Sequence, residues 1–140
     1  MPRLFALDHN FPDPIVTTLQ PYQTHAELVR IDAIDARMAE LDDWQIFLAL
    51  RNHPRPWDGL ITTDSSMLMQ GKELVTLAHA RLTLVVAIDA GNNPVKAAGL
   101  LFAHLENICT RTKPNVAQVW KLQARATSHT DVGDLVRAVA

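Results

Sequence analysis

Cysteine is almost missing from this chain. Cys109 stands alone, so no internal disulfide can form, as suits a reducing cytoplasm. Its setting in an apolar helical stretch predicts a small core residue rather than a nucleophile. Glycine is sparse as well: the five glycines make neither Gly-x-Gly-x-x-Gly nor Gly-x-x-x-x-Gly-Lys, which removes the anchors of dinucleotide and P-loop chemistry. No Gly-x-Ser-x-Gly occurs, and so no nucleophile elbow. Six histidines without a His-x-x-x-His pair, beside a single cysteine, argue against structural zinc. No apolar run approaches the length of a membrane span. The run after Met-Pro-Arg is broken by Asp8, His9 and Asn10 before it can serve as a secretory core. The expectation is a soluble, cytoplasmic protein with no membrane partner.

An excess of positive charge is also lacking. A net charge of −2 argues against a generic basic coat for nucleic acid but leaves room for a local basic rim around an acidic centre. Candidates for such a rim are Arg51, Arg55, Lys72, Arg111, Lys113, Lys121 and Arg125, each of which, taken singly, is more often an ordinary solvated side chain.

What is present is an ordinary globular composition, 48% hydrophobic over 140 residues, enough for one domain spanning 1–140 with a sheet covered by helices. The apolar run from Arg3 ends abruptly at Asp8, a second from Gly59 to Thr63 ends at Asp64, and a third from Leu82 to Ile88 ends at Asp89. In an open parallel sheet ligands bind at the carboxyl ends of the strands, so three such aspartates can converge. Taken one at a time, each is more often the cap of the following helix or turn.

Between these runs the periodicity turns helical. A short helix is expected from Pro14 to Leu19, a strand from His25 to Ile31, and a helix after Asp42-Asp43 with Asp42 as its N-cap. The stretch Asp32 to Leu41 reads equally as a short helix or a structured loop. Ser65-Ser66 open a helical stretch that Gly71 divides, and Pro94 starts the clearest helix, with Asn93 as its cap and an apolar stripe from Val95 to Ile108. A last strand is expected at Val116 to Leu122 and a short terminal helix between Asp131 and Ala140. Alternating strands and helices predict an α/β three-layer sandwich on a mainly parallel sheet of four or five strands.

The chemistry left to such a sheet is that of carboxylates. Asp8, Asp43 and Asp64, with Asp42 and Asp89 as further candidates, repel one another if they gather at one edge, unless a cation neutralises them. Oxygen-only ligands select hard cations, Mg²⁺ or Mn²⁺, which in nuclease sites activate water and stabilise the leaving oxygen.

Three pieces then stand out together: Leu7-Asp8-His9-Asn10-Phe11-Pro12, Asp42-Asp43-Trp44-Gln45-Ile46 and Leu60-Ile61-Thr62-Thr63-Asp64-Ser65-Ser66-Met67. In order and spacing they resemble the PIN-like domains that open with Asp-Glu-Asn-Leu-Pro. Those relatives carry an Asp/Glu pair at a later helix start and a Thr-x-Asp-x-Asp-Phe motif after the next strand. The resemblance continues more weakly through Val85 to Leu101 and the last strand, and so covers most of the chain. It implies a metal-dependent ribonuclease acting on RNA, of the kind that often serves as the toxin of a toxin-antitoxin module with a cognate antitoxin protein. By position, Asp8 matches the first metal ligand, Asp43 the helix-borne acid and Asp64 the aspartate after the strand, while Asn10 and Thr62 match polar residues that shape the site. Two positions depart: His9 replaces a glutamate, and Ser66 stands where a second aspartate is expected.

Two functional expectations follow. The first is a nuclease in which Asp8, Asp43 and Asp64 hold Mg²⁺ or Mn²⁺. The second, motivated by Ser66, is a PIN-like domain that has lost catalysis and binds RNA or a partner protein. Phosphoryl-transfer receivers also use strand-end aspartates but would want a strand-end lysine, which these strands lack. The resemblance and the wide stripe from Pro94 to Ile108 also suggest a homodimer, against which stands simple packing of that stripe on the sheet.

Overall fold

The computed structural model of the chain describes residues 2–11, 13–88, 93–123 and 128–139. The strands are β1 (Arg3–Leu7), β2 (Ala26–Arg30), β3 (Gly59–Thr62), β4 (Thr83–Ala87), β5 (Gln118–Leu122) and β6 (Ser128–Asp131). The helices are α1 (Asp13–Leu19), α2 (Ile31–Ile34), α3 (Asp43–Arg51), α4 (Gly71–Ala80), α5 (Pro94–Arg111) and α6 (Val132–Val139). The undecided stretch after Asp32 resolves into the rest of α2 and a 3-10 turn, Ala36–Glu40. Gly71 does divide its segment, into a 3-10 turn Ser66–Met69 and α4. Asn93 caps α5 by accepting the Lys96 backbone N–H at 3.1 Å.

The strands form one sheet in the order β2-β1-β3-β4-β5-β6, parallel throughout except for the β5–β6 pair. Six strands correct the expected four or five. The missed strand, Ser-His-Thr-Asp, has no apolar alternation to announce it, and pairing makes it a strand: Trp120 lies opposite His129 and the two rings stack 4.4 Å apart.

Each central strand is buried on both faces, and its alternate residues feed two separate cores. Leu4, Ala6, Leu60, Leu84 and Val86 pack against α3, α4 and α6 through Phe47, Leu50, Leu77 and Val132. Phe5, Leu7, Ile61, Val85 and Ala87 pack against α1 and α5 through Val16, Leu101, Leu105 and Ile108. The α5 stripe is therefore spent on the sheet; Ala98, Leu101, Leu105 and Ile108 are buried and Val95 alone of the stripe stands well out, 69% exposed. Among the described residues no helix is long and apolar enough to cross a membrane.

From β3 to β4 and from β4 to β5 the chain steps the same way across the sheet, yet α4 and α5 lie on opposite faces. The β4–α5–β5 crossover thus has the opposite hand to the other three, an exception to the near-universal rule of a single, right-handed sense. The place left open beside α4 is filled by α6, which buries Val132 completely.

Candidate active site

A strand order of 2-1-3-4-5 puts the topological switch between β1 and β3: the chain leaves β1 along one face and returns to β3 along the other. A crevice opens outside the carboxyl ends of the strands at such a point. Asp8 follows β1 there, Thr62 ends β3 and Asp64 lies two residues beyond it. Side-chain alternation turns Asp8, two residues beyond Ala6, toward the face of α3 and α4, and it does the same for Thr62, two beyond Leu60. Both helices follow a strand's carboxyl end, so their N-termini overhang the crevice and bring Asp43 and Glu73 with them.

Asp8 is only 3% exposed and is tightly held. The buried Thr62 hydroxyl donates to its Oδ2 at 2.8 Å, while the His9 backbone N–H and Nδ1 lie 2.8 and 3.0 Å from its Oδ1. The Thr62 oxygen in turn accepts the Asp64 backbone N–H at 3.0 Å, which ties the two strand ends together. Asp64 Oδ1 accepts the Ser66 N–H at 2.9 Å and so caps the following 3-10 turn, the local role open to any strand-end aspartate. Its Oδ2 has no hydrogen bond with a described residue. Ser66 is exposed and contributes its backbone here. Asn10 is exposed in the turn after β1. Asp42 is exposed at the N-cap of α3, its backbone N–H accepted by Gln45 Oε1 at 2.9 Å. Asp89 lies outside the described residues.

Asp43, the first residue of α3, registers the whole arrangement. Burial, followed by the charges of Asp8, Asp64, Glu73 and Asp42, pushes its carboxyl up to about 6. A helix N-terminus ordinarily favours the ionised form; here burial and the added repulsion outweigh it, and no described residue donates a hydrogen bond to Asp43. Lys72, one residue from Glu73, sits with its Nζ 4.1 Å from the Trp44 ring centroid instead of pairing with a described carboxylate.

Glu73 was missed from the sequence. It is 9% exposed, and with the Gln70 amide turned nitrogen-inward it accepts hydrogen bonds at 3.0 and 2.8 Å. A signal was there to read: Glu73, Leu77 and Ala80 recur at i, i+4 and i+7, which puts a carboxylate on the apolar stripe of α4. The expected basic rim largely dissolves. Arg51 ends α3 and Lys113 follows α5, both at the opposite edge of the sheet, Arg55 pairs with Glu27 at 2.7 Å, and Arg125 lies outside the described residues. Cys109 is no nucleophile at neutral pH, since burial pushes its thiol up to about 11.

Because the folded state holds Asp43 protonated up to about 6 whereas the unfolded chain releases that proton near 3.8, the fold binds more protons than the unfolded chain in that window. Stability therefore falls as pH rises from about 4 to about 6. Asp43→Asn should remove this penalty and, after discounting for solvent screening of a half-exposed group, stabilise the protein at pH 7 by about 1 kcal/mol. Urea unfolding at pH 4 and pH 7 checks both the sign and the window.

No protein-family model, curated protein or solved structure matches this chain.

Proposed function

We propose that this chain is a PIN-like, Mg²⁺- or Mn²⁺-dependent ribonuclease whose site comprises Asp8, Asp43 and Asp64, with Glu73 as a fourth carboxylate. The observation that carries this reading is the setting of Asp43: burial and then the charges of four neighbouring carboxylates at the switch point raise its pKa, and no ammonium or guanidinium of a described residue pairs with it. A protein that concentrates negative charge at a ligand-binding crevice creates a potential that a cation relieves.

The donor chemistry fits a hard cation, since every candidate ligand is a carboxylate oxygen. Among the described residues, no three His, Cys, Asp or Glu side chains are gathered into a ready-made cage. Mg²⁺ does not require one, because it commonly keeps its waters and binds through one or two carboxylates plus substrate phosphates. Asp8, fixed by Thr62 and His9, and Asp64, whose Oδ2 has no hydrogen bond with a described residue, are the residues that would hold it. When bound, such an ion supplies an activated water and neutralises the leaving oxygen of the phosphodiester. The chain's own part is positional: Thr62 sets the spacing between the Asp8 and Asp64 strand ends, and the overhanging helices partly withdraw Asp43 and Glu73 from water.

The binding-module reading keeps one specific support. Asp8 already has both oxygens in hydrogen bonds, and Asp64 spends one on its cap. The role of toxin with a cognate antitoxin rests on the family resemblance alone.

Cleavage of single-stranded RNA with Mn²⁺, with and without chelator, tests the proposal in the native protein and in Asp8→Asn, Asp64→Asn and Ser66→Asp. Chelator-sensitive cleavage that falls in both Asn proteins is the expected result. Chelator-insensitive cleavage, or full activity in both, overturns it. No native cleavage but a gain in Ser66→Asp favours the binding module.

A further inference from the structure

The end of the sheet away from the acidic crevice carries a second, oppositely charged feature. There the C-termini of α3, α4 and α5 come down beside the first residues of β3, β4 and β5, enclosing a cleft of about 200 Å³. Arg51, Arg81 and Lys113 line it, and none of the three forms an ion pair with a described residue. We propose that this cleft binds a phosphate monoester.

The charge balance favours an anion. Three full positive charges face three helix C-termini, each equivalent to roughly half a negative charge, so the cations prevail. One carboxylate, Asp58, also lines the cleft, but it is already committed: Oδ1 accepts from Arg3 Nη1 at 3.3 Å and Oδ2 from the Leu4 backbone N–H at 2.8 Å. Neutral donors add to the cations. Thr83, 2% exposed, brings a hydroxyl, and Trp57, 6% exposed, holds an indole N–H with no acceptor among the described residues. Both residues line the cleft.

The backbone points the same way. The non-glycine residues with positive φ among those described are Arg81 at 56° and Asn115 at 60°, and both line this cleft. Arg81 caps the end of α4 in the left-handed conformation, a position that glycine or asparagine fills most easily. The chain keeps a guanidinium there despite the cost. A monoester suits the dimensions, since the cleft has room for about seven waters, enough for a phosphate and a few linked atoms but not for a polynucleotide passing through. The shared chemistry is a terminal phosphate, free or carried on a nucleotide.

Calorimetric titration at constant ionic strength decides the matter, with inorganic phosphate, adenosine 5′-monophosphate and adenosine as probes. Saturable binding of the two phosphates and not of adenosine is expected; equal affinity for the two identifies free phosphate as sufficient, and tighter nucleotide binding identifies a nucleotide. Arg81→Asn keeps a residue that tolerates the left-handed backbone, and Lys113→Gln changes an exposed side chain, so both should fold, as circular dichroism checks. Each should weaken phosphate binding about tenfold or more. Asp43→Asn, at the other end of the sheet, should leave it unchanged, so failure of this site and failure of the nuclease reading remain separate results. Absence of saturable binding up to about 10 mM, adenosine binding as well as its phosphate, or undiminished affinity in both cleft variants overturns the proposal.

Discussion

Under the proposed nuclease function, Asp8→Asn is expected to lower Mn²⁺-dependent cleavage of single-stranded RNA about 100-fold while leaving the protein folded. At 4 Å and an effective dielectric of about 20, one unit charge acting on another is worth on the order of 4 kcal/mol, a factor of about a thousand in rate if lost entirely. Water and the remaining carboxylates recover part of that, hence the smaller figure. The fold should tolerate the change because its hydrogen bonds adapt. The amide oxygen can still accept from His9, and the amide nitrogen can donate to the Thr62 hydroxyl where the carboxylate accepted from it. Removing a negative charge also relieves Asp43, whose carboxyl should titrate closer to its ordinary value. Cleavage rate, Mn²⁺ affinity and unfolding midpoint, measured on the same protein, separate loss of function from loss of fold. A rate within a factor of about three of native would remove Asp8 from the chemistry.

Gly59→Ala carries the largest expected effect on stability, about 3 kcal/mol or more. Gly59 opens β3 between Phe5 of β1 and Thr83 of β4. A Cβ at this position would stand 1.8 Å from the Thr83 carbonyl oxygen and 3.1 Å from the Phe5 ring. The first contact is with backbone, which cannot rotate away, so the strands must part. Because β3 carries Thr62 and Asp64 at its other end, a shift of the strand also misaligns them against Asp8. Thermal unfolding should fall by about 10 °C, and cleavage at low temperature should fall with it. A midpoint within about 2 °C of native would mean that the β3–β4 contact yields more easily than this geometry allows.

Local features were legible in the residues. The acidic run-ends after β1 and β3, the Asp42 start of α3, the division at Gly71 and the Asn93-Pro94 start of α5 all appear where the residues place them. Each depends on neighbours within a few positions, on capping atoms, proline geometry or an apolar run that ends. Glu73 and β6 escaped for the opposite reason. A lone glutamate on a helix stripe acquires meaning only when another helix brings Asp43 beside it, and Ser-His-Thr-Asp becomes a strand only when β5 offers it a partner.

The sequence by itself therefore determined β1 to β5, the helices with clear starts and the carboxylates after β1 and β3, because turns, caps and apolar runs are short-range physics. The tertiary structure alone decided which of those ends meet. It set the 2-1-3-4-5 order that puts Asp8 beside Asp64, the opposite-handed passage of α5 that leaves a place for α6, and the separation of charge by which acids gather at one edge of the sheet while Arg51, Arg81 and Lys113 gather at the other. Strand order and crossover hand are settled by packing both faces of one sheet at once, a constraint over the whole chain that no stretch of residues states alone.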